Sequence, residues 1–391
     1  MKKMISKRAL AVAPSTTLEI TARAVELKNA GKDVISFGAG EPDFDTPEEI
    51  KAAAISALNE GFTKYTATSG ILPLREKLAE KLREENGLSY MASQIIVTNG
   101  GKQAIYNALQ AILEEEDEVL IFAPYWLSYP EMIRLAGGKP VVVETRLEEK
   151  YYPDLEKVRE KITGKTKAMI INSPCNPTGA VYSEDVLKGL AEIAKEFDLW
   201  VISDEIYEKL IYNGRKFCSI ASLGEDIFER TIVINGFSKA YSMTGWRLGY
   251  AAGDRDVIAA MTRIQSHQTS NINSITQKAA LAAFANREIE ERVKDFDKRR
   301  IYMVNYLKNI PEVKFVEPDG AFYVLLDLRE FLDKHQITAK QMAQDLLEKS
   351  LVAVVPADDF GVEGHIRLSY PISIEKMEVG LKRLKEYLQS K

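Results

Sequence analysis

Five short apolar runs in the middle of the chain constrain its fold more than any other feature: residues 95–98, 119–122, 168–172, 199–203 and 232–235. Each is continuous rather than alternating, as strands covered on both faces require, and helical stretches lie between most of them. The pattern predicts an α/β fold on a mostly parallel central sheet. With 391 residues, 46% of them apolar, the chain has enough material for a large core and more than one domain.

Helical signals flank this region. Ser15 reads as the cap of a helix that stops at Gly31, residues 34–37 as a short strand, and a further helix runs from near Pro73 to Gly87. Thr46-Pro47-Glu48-Glu49 combines an N-cap, a first-turn proline and a capping-box glutamate, which predicts a helix over 47–59 ending at Gly61. Beyond Gly253 the rhythm changes to one long helical region through 277–309, strand-like segments at 321–328 and 365–370, and a closing helix near 374–388. The expected division is a large unit over 46–280 and a small α+β unit made of an N-terminal arm, 1–45, with 281–391.

Charge narrows the partners. The 52 basic and 57 acidic residues give a net charge of −5, without the basic footprint that a nucleic-acid or anionic-membrane binder needs, so a small-molecule substrate is expected. Cys175 and Cys218, and His267, His335 and His365, share no metal-ligand spacing, and no metal is expected. Lys2, Lys3, Lys7 and Arg8 lead only into residues 9–13 before Pro14, too short for a signal-peptide core. No stretch approaches the ~18–20 apolar residues of a membrane span. A soluble, cytoplasmic protein is expected.

In open α/β sheets, ligands bind beyond the carboxyl ends of the strands. The five turns at those ends carry Asn99-Gly100-Gly101-Lys102, Ala123-Pro124-Tyr125-Trp126, Ser173-Pro174-Cys175-Asn176-Pro177-Thr178-Gly179, Asp204-Glu205-Ile206-Tyr207 and Gly236-Phe237-Ser238-Lys239. Singly, each has a plain structural use as a tight turn, a core aromatic, a helix cap or a solvated lysine. Jointly they describe a pocket for a phosphorylated, flat, aromatic aldehyde. Backbone N–H groups at the helix start after Gly100 and Gly101, with Ser238 and an arginine, would bind the phosphate. Trp126 would stack on the ring, Asp204 pair with a protonated ring nitrogen, Asn176 and Tyr207 hydrogen-bond a ring oxygen, and Lys239 form a Schiff base. The cofactor with these requirements is pyridoxal 5'-phosphate.

Further segments extend the set: Gly40-Glu41-Pro42-Asp43-Phe44, Lys64-Tyr65, Gly100-Gly101-Lys102-Gln103-Ala104, Ser238-Lys239-Ala240, Met243-Thr244-Gly245-Trp246-Arg247-Leu248-Gly249-Tyr250 and Arg367-Leu368-Ser369-Tyr370. With the turns above, in order from about residue 15 to about residue 385, they closely resemble the fold-type-I, class I/II aminotransferase family and especially its bacterial aspartate-aminotransferase-like branch. The resemblance implies a catalytic set of Lys239, Asp204 and Tyr207, with Arg247 on the phosphate and Gly100, Gly101 and Lys102 in the phosphate turn. It implies that Arg367 grips the substrate α-carboxylate as a bidentate fork, with Trp126 and Asn176 beside it and Gly40 in the loop that closes over substrate. Tyr65 is similar to a tyrosine that reaches the phosphate of the neighbouring subunit's cofactor, which implies a homodimer with shared sites.

Lys102 is a long cation where other members have a small residue; it either offers a charge to a distal carboxylate or only points to solvent. Two departures stand out. Gly236 occupies a place where some members carry a phosphate-binding serine, and Ala13 a place where members able to use prephenate carry a lysine. The implied reaction moves an amino group from aspartate to a 2-oxo acid, 2-oxoglutarate. A β-lyase on the same cofactor, or an aminotransferase for aromatic or neutral amino acids, is the alternative, and the residues between Lys239 and Arg247 do not separate them.

Overall fold

A computed structural model describes residues 5–286 and 288–391; Lys2 and Lys3 lie outside them. Its strands are β1 (Ile35–Ser36), β2 (Ile95–Thr98), β3 (Glu118–Ala123), β4 (Lys139–Glu144), β5 (Thr166–Asn172), β6 (Trp200–Asp204), β7 (Thr231–Gly236), β8 (Gly249–Ala252), β9 (Lys314–Phe315), β10 (Tyr323–Asp327), β11 (Val352–Ala353), β12 (Val355–Pro356) and β13 (His365–Ser369). Seven of them form the central sheet in the order β2-β8-β7-β6-β5-β3-β4. Neighbours from β7 through β4 are parallel, and β8 runs against both β2 and β7. All five expected central strands are present, and the α/β architecture with a mostly parallel sheet stands.

The apolar runs are continuous because successive residues feed two different cores. Ile121, Ile170, Ile202 and Ile234 pack with the helices Gly101–Ile112 and Arg255–Gln268 on one face. Their chain neighbours Leu120, Met169 and Val201 pack with the helix Glu184–Glu196 on the other, and Val233 with the helices Leu72–Asn86 and Ser274–Ala283. Full burial of each such side chain contributes about 1.5–3 kcal/mol, so both faces drive the same strand into the sheet. A second sheet, β12-β13-β10-β9, is antiparallel throughout, and β1 pairs with β11 in parallel. The helices Ile289–Leu307 and Ile374–Gln389 cover these strands in a separate core around Phe296, Phe322 and Leu381.

Three local expectations change. Thr46 does not cap the helix Glu48–Asn59, because Pro47 takes the cap position without a side-chain bond. Thr46 Oγ1 instead donates to Ser242 O at 2.7 Å and accepts from Trp246 Nε1 at 2.9 Å, while Glu49 accepts from Asn286. The long helical region over 277–309 is made of two helices, Ser274–Ala283 and Ile289–Leu307. Asn286 Oδ1 accepts from Glu288 N at 3.1 Å, a local bond that competes with helix continuation. Strands β4, β8, β9, β11 and β12 lie outside the expected ones. Gly249 opens β8 tightly against the phosphate turn, where a Cβ would stand 2.9 Å from Gly100 Cα. No helix among the described residues is long and apolar enough to cross a membrane.

Candidate active site

The carboxyl ends of β2, β3, β5, β6 and β7 open on one cavity of about 450 Å³, closed on its other side by β10, β13 and the start of the helix Thr16–Asn29. The turn after β7 brings Lys239 into it, with Nζ donating to Gly40 O at 2.5 Å. Burial of the amine lowers its pKa from 10.5 to about 8; Glu41 opposes the drop, and Arg367 and Arg247 deepen it. A neutral amine is the form that attacks carbonyls and takes protons.

Asp204 ends β6 and is buried. Its Oδ2 accepts from the Tyr129 hydroxyl at 2.6 Å and its Oδ1 from Ile206 N at 3.3 Å. Burial raises its pKa to about 6, against the pull of those two bonds and of Lys239. A buried carboxylate so placed gains most from a cationic partner, which is what a protonated ring nitrogen provides. The last residue of β5 braces it: Asn172 Nδ2 donates to Asp204 O at 3.0 Å, and Asn172 Oδ1 accepts from Asn176 N at 2.9 Å.

Asn176, Tyr207 and Arg367 form the opposite wall. Asn176 Oδ1 accepts from Arg367 Nη1 at 3.0 Å, and Arg367 Nη2 donates to Gly38 O at 2.8 Å. Arg367 is 2% exposed, its Nε has no hydrogen-bond partner, and no acidic side chain among the described residues pairs with it. Burial lowers its pKa. A guanidinium in that state suits a carboxylate, since a bidentate acid would satisfy both the orphan N–H and the charge. Tyr207 lies with its hydroxyl 2.7 Å from that of Tyr323, and burial pushes its pKa well above the ordinary value, so it remains a phenol.

At the far end, Gly100 has φ +79° and precedes the helix Gly101–Ile112. A Cβ on Gly100 would stand 2.6 Å from Arg247 Nη2, so the glycine leaves a cradle between guanidinium and helix start. First-turn N–H groups, Arg247 and the buried Ser238 fit a phosphate there. Arg247 is held by Nη1 donating to Thr244 O at 2.9 Å and Nη2 to Asn99 O at 3.2 Å. A Cβ on Gly236 would meet Leu248 O at 2.9 Å, so a side chain there would need the neighbouring backbone to shift. Lys102 reaches over the Trp126 ring, 4.8 Å from its centroid, and burial followed by repulsion from Arg247 lowers its pKa.

Of the expected site residues, Gly40, Gly101, Lys102, Trp126, Asn176, Asp204, Tyr207, Ser238, Lys239, Arg247 and Arg367 line this one cavity. Gly100 stands just behind Arg247, and Tyr65 is 91% exposed and off the wall. Sequence reasoning missed Tyr129, Asn172, Tyr323 and Glu41. Tyr129 and Asn172 touch Asp204 from 75 and 32 residues away, a relation no local motif carries.

The family model for aminotransferase class I and II matches residues 32–384. The chain is 47% identical over 388 residues to aspartate aminotransferase of Bacillus subtilis (strain 168), covering 98% of this chain and 99% of that one. It is also 47% identical over 389 residues to aspartate/prephenate aminotransferase of Thermus thermophilus, 98% of each chain being covered. Among solved structures, aspartate aminotransferase from Thermus thermophilus with maleate superposes with a TM-score of 0.93 at 46% identity, covering 98% of this chain and 99% of that one. The aspartate aminotransferase from Rhizobium meliloti does so with a TM-score of 0.94 at 38% identity, 99% of each chain being covered. With a family model spanning most of its length and relatives this similar over nearly all of it, the chain belongs to the class I and II aminotransferases.

Proposed function

We propose that this aminotransferase is a pyridoxal 5'-phosphate-dependent enzyme that moves the amino group of aspartate to a 2-oxo acid, 2-oxoglutarate, in the cytoplasm. The observation that carries the reading is Arg367, a buried guanidinium with an orphan Nε and no acidic partner among the described residues, opening on the same cavity as the Lys239 amine. The names of the relatives supply the dicarboxylic donor. Bound, the cofactor supplies an aldehyde that condenses with the amino acid and a ring that accepts the electron pair left at the α-carbon.

Each residue then has one task. Lys239 would hold the aldehyde group of the cofactor, and its Nζ would take the α-proton of the substrate and give it back. Asp204, oriented by Tyr129 and Asn172, would keep the ring nitrogen protonated, while Tyr207 and the Asn176 amide would donate to the ring oxygen and Trp126 would cover the ring. Gly100, Gly101, Ser238 and Arg247 hold the phosphate, and Tyr65 reaches the cofactor of a second copy in a homodimer. Arg367 fixes the α-carboxylate, and Gly40 lies in the loop over the substrate. Lys102, aligned by Trp126, offers its charge to the distal carboxylate. The chain divides into a cofactor-binding unit, 46–280, and a small unit, 1–45 with 281–391. Ala13, whose N–H donates to Glu131 Oε2 at 3.1 Å, brings no cation for prephenate.

The test is the visible spectrum of the cofactor-loaded protein as aspartate, glutamate, alanine, phenylalanine or cystathionine is added without any 2-oxo acid. Aspartate is expected to convert the band to the pyridoxamine form most efficiently; pyruvate release from cystathionine without an acceptor would mean a β-lyase instead. Arg367→Ala is expected to raise KM about 30-fold or more for every amino acid, the lower end of the cost of stranding a buried charge partner. Steady-state kinetics with aspartate and with alanine check this, and an effect confined to aspartate would place Arg367 on the distal carboxylate.

A further inference from the structure

Tyr323 lines the same cavity and has none of the roles above. It opens β10, and β10 pairs with β13 in the register Tyr323↔Ser369 and Leu325↔Arg367. The two-residue period puts Tyr323 and Arg367 on one face as diagonal neighbours. The side chains use that placement: Arg367 Cζ sits 4.6 Å from the Tyr323 ring centroid, and the ring of Phe360 lies 5.2 Å from the same carbon. Aromatic faces thus bound the guanidinium, whose polar contacts on the protein are the Asn176 and Gly38 oxygens.

The other end of Tyr323 is equally enclosed. Its hydroxyl is 2.7 Å from that of Tyr207, with the two rings at 84°, and a Cβ on Gly40 would stand 2.8 Å from it. Gly40 is the residue whose carbonyl accepts from Lys239. Two phenols in contact share one donor and one acceptor, and each has a single proton. Tyr207 can therefore donate into the cavity only when Tyr323 donates to it. Burial raises the pKa of both phenols, so both protons are present across the neutral range.

We infer that Tyr323 is a positioning residue for the reaction, its hydroxyl directing the Tyr207 O–H into the cavity while its ring holds Arg367 in the plane that receives the substrate carboxylate. The inference rests on the roles proposed above for Tyr207 and Arg367. One side chain would thereby tie the alignment of the group facing the cofactor to that of the group facing the substrate.

Two variants separate its two ends. Tyr323→Phe keeps the ring and removes the hydroxyl. In the pyridoxal-phosphate-loaded protein the visible absorbance titrates with the proton on the Lys239 nitrogen, and a Tyr207 donor on the ring oxygen favours the deprotonated form. Tyr323→Phe is expected to raise that midpoint by about 0.4–1 pH unit, the span of one net hydrogen bond. It should lower kcat with little change in KM, and leave the Kd for maleate within about two-fold because the ring under Arg367 remains. Tyr323→Leu is expected to weaken maleate about 2- to 30-fold, the range of a cation–π contact.

The double variant Tyr207→Phe/Tyr323→Phe should titrate like Tyr207→Phe alone, since Tyr323 acts through Tyr207. An unmoved midpoint in Tyr323→Phe, or additive shifts in the double variant, overturns the hydroxyl's role. Unchanged maleate binding in Tyr323→Leu overturns the ring's role, and if that variant fails to fold, the Phe variants still decide the first. A wild-type protein with no visible band at all would overturn the proposed function itself, and this inference with it; a normal wild-type band with an unmoved variant overturns the inference alone.

Discussion

Lys239→Ala is expected to lower aspartate turnover by about 10⁴-fold or more, because one amine serves as both anchor and proton carrier. At its reference pKa only about 0.1% of a lysine is neutral at pH 7.5, whereas at about 8 roughly a quarter is. Burial beside Arg367 and Arg247 brings Lys239 to that value, and its bond to Gly40 O keeps the nitrogen in the cavity. Lys239→Arg retains a charge but no usable base, so it is expected to be as inactive as the alanine variant. The measurements are kcat with aspartate and the visible spectrum after addition of pyridoxal phosphate. Multiple turnovers by either variant would remove Lys239 from the reaction.

The same burial has a stability signature that checks the environment independently of activity. In the protein without cofactor, the folded pKa of Lys239 lies below its unfolded value, so the unfolded chain binds more protons between about pH 8 and 10.5. The charged lysine therefore destabilises the fold fully below about pH 8, and the penalty fades as pH rises toward 10.5. Lys239→Met is expected to raise the unfolding midpoint of the cofactor-free protein at pH 7 and to lose that advantage by about pH 10.5. Thermal unfolding at pH 7 and pH 10.5 tests the sign.

How much of this was legible from residues alone follows the range of the forces involved. The central strands announce themselves because alternate residues such as Met169 and Ile170 enter different cores, which makes each run apolar throughout. Helix starts at Ser15 and Gly101 are also local, being set by a side-chain cap and by a glycine with positive φ. β8 stays hidden because Gly249, Ala251 and Ala252 carry little hydrophobic weight, and their strand is defined by its antiparallel pairing with β2 and β7. Thr46 and Glu49 mislead for the opposite reason: together they make a good local capping signal, and bonds to Trp246 and Asn286 draw the two side chains elsewhere. In the cavity, motif residues were legible, while Tyr129 and Tyr323 were not. Their effect is exerted on another side chain distant in sequence, and nothing near them in the chain encodes it.

Asp204 shows why that unread layer matters for turnover. At a separation near 4 Å and an effective dielectric of about 20, a carboxylate and a protonated ring nitrogen attract by on the order of 4 kcal/mol, or about three pKa units. Asp204→Asn keeps an acceptor for the Tyr129 hydroxyl and removes the charge. It is expected to cut kcat with aspartate by about 10³-fold, the same energy expressed as rate, because an unprotonated ring is a poor electron acceptor. Phosphate binding depends on Arg247 and the helix start instead, so the variant is expected to retain pyridoxal phosphate through dialysis while Arg247→Ala loses it. Tyr129→Phe divides the assignment further: Asp204 would lose its 2.6 Å donor but not its charge, and its pKa, which that bond lowers against burial, would rise. The pH profile of kcat in Tyr129→Phe should then shift its acidic limb upward, with the plateau little changed. A near-normal kcat in Asp204→Asn would refute the role of its charge, whatever the Tyr129 variant does.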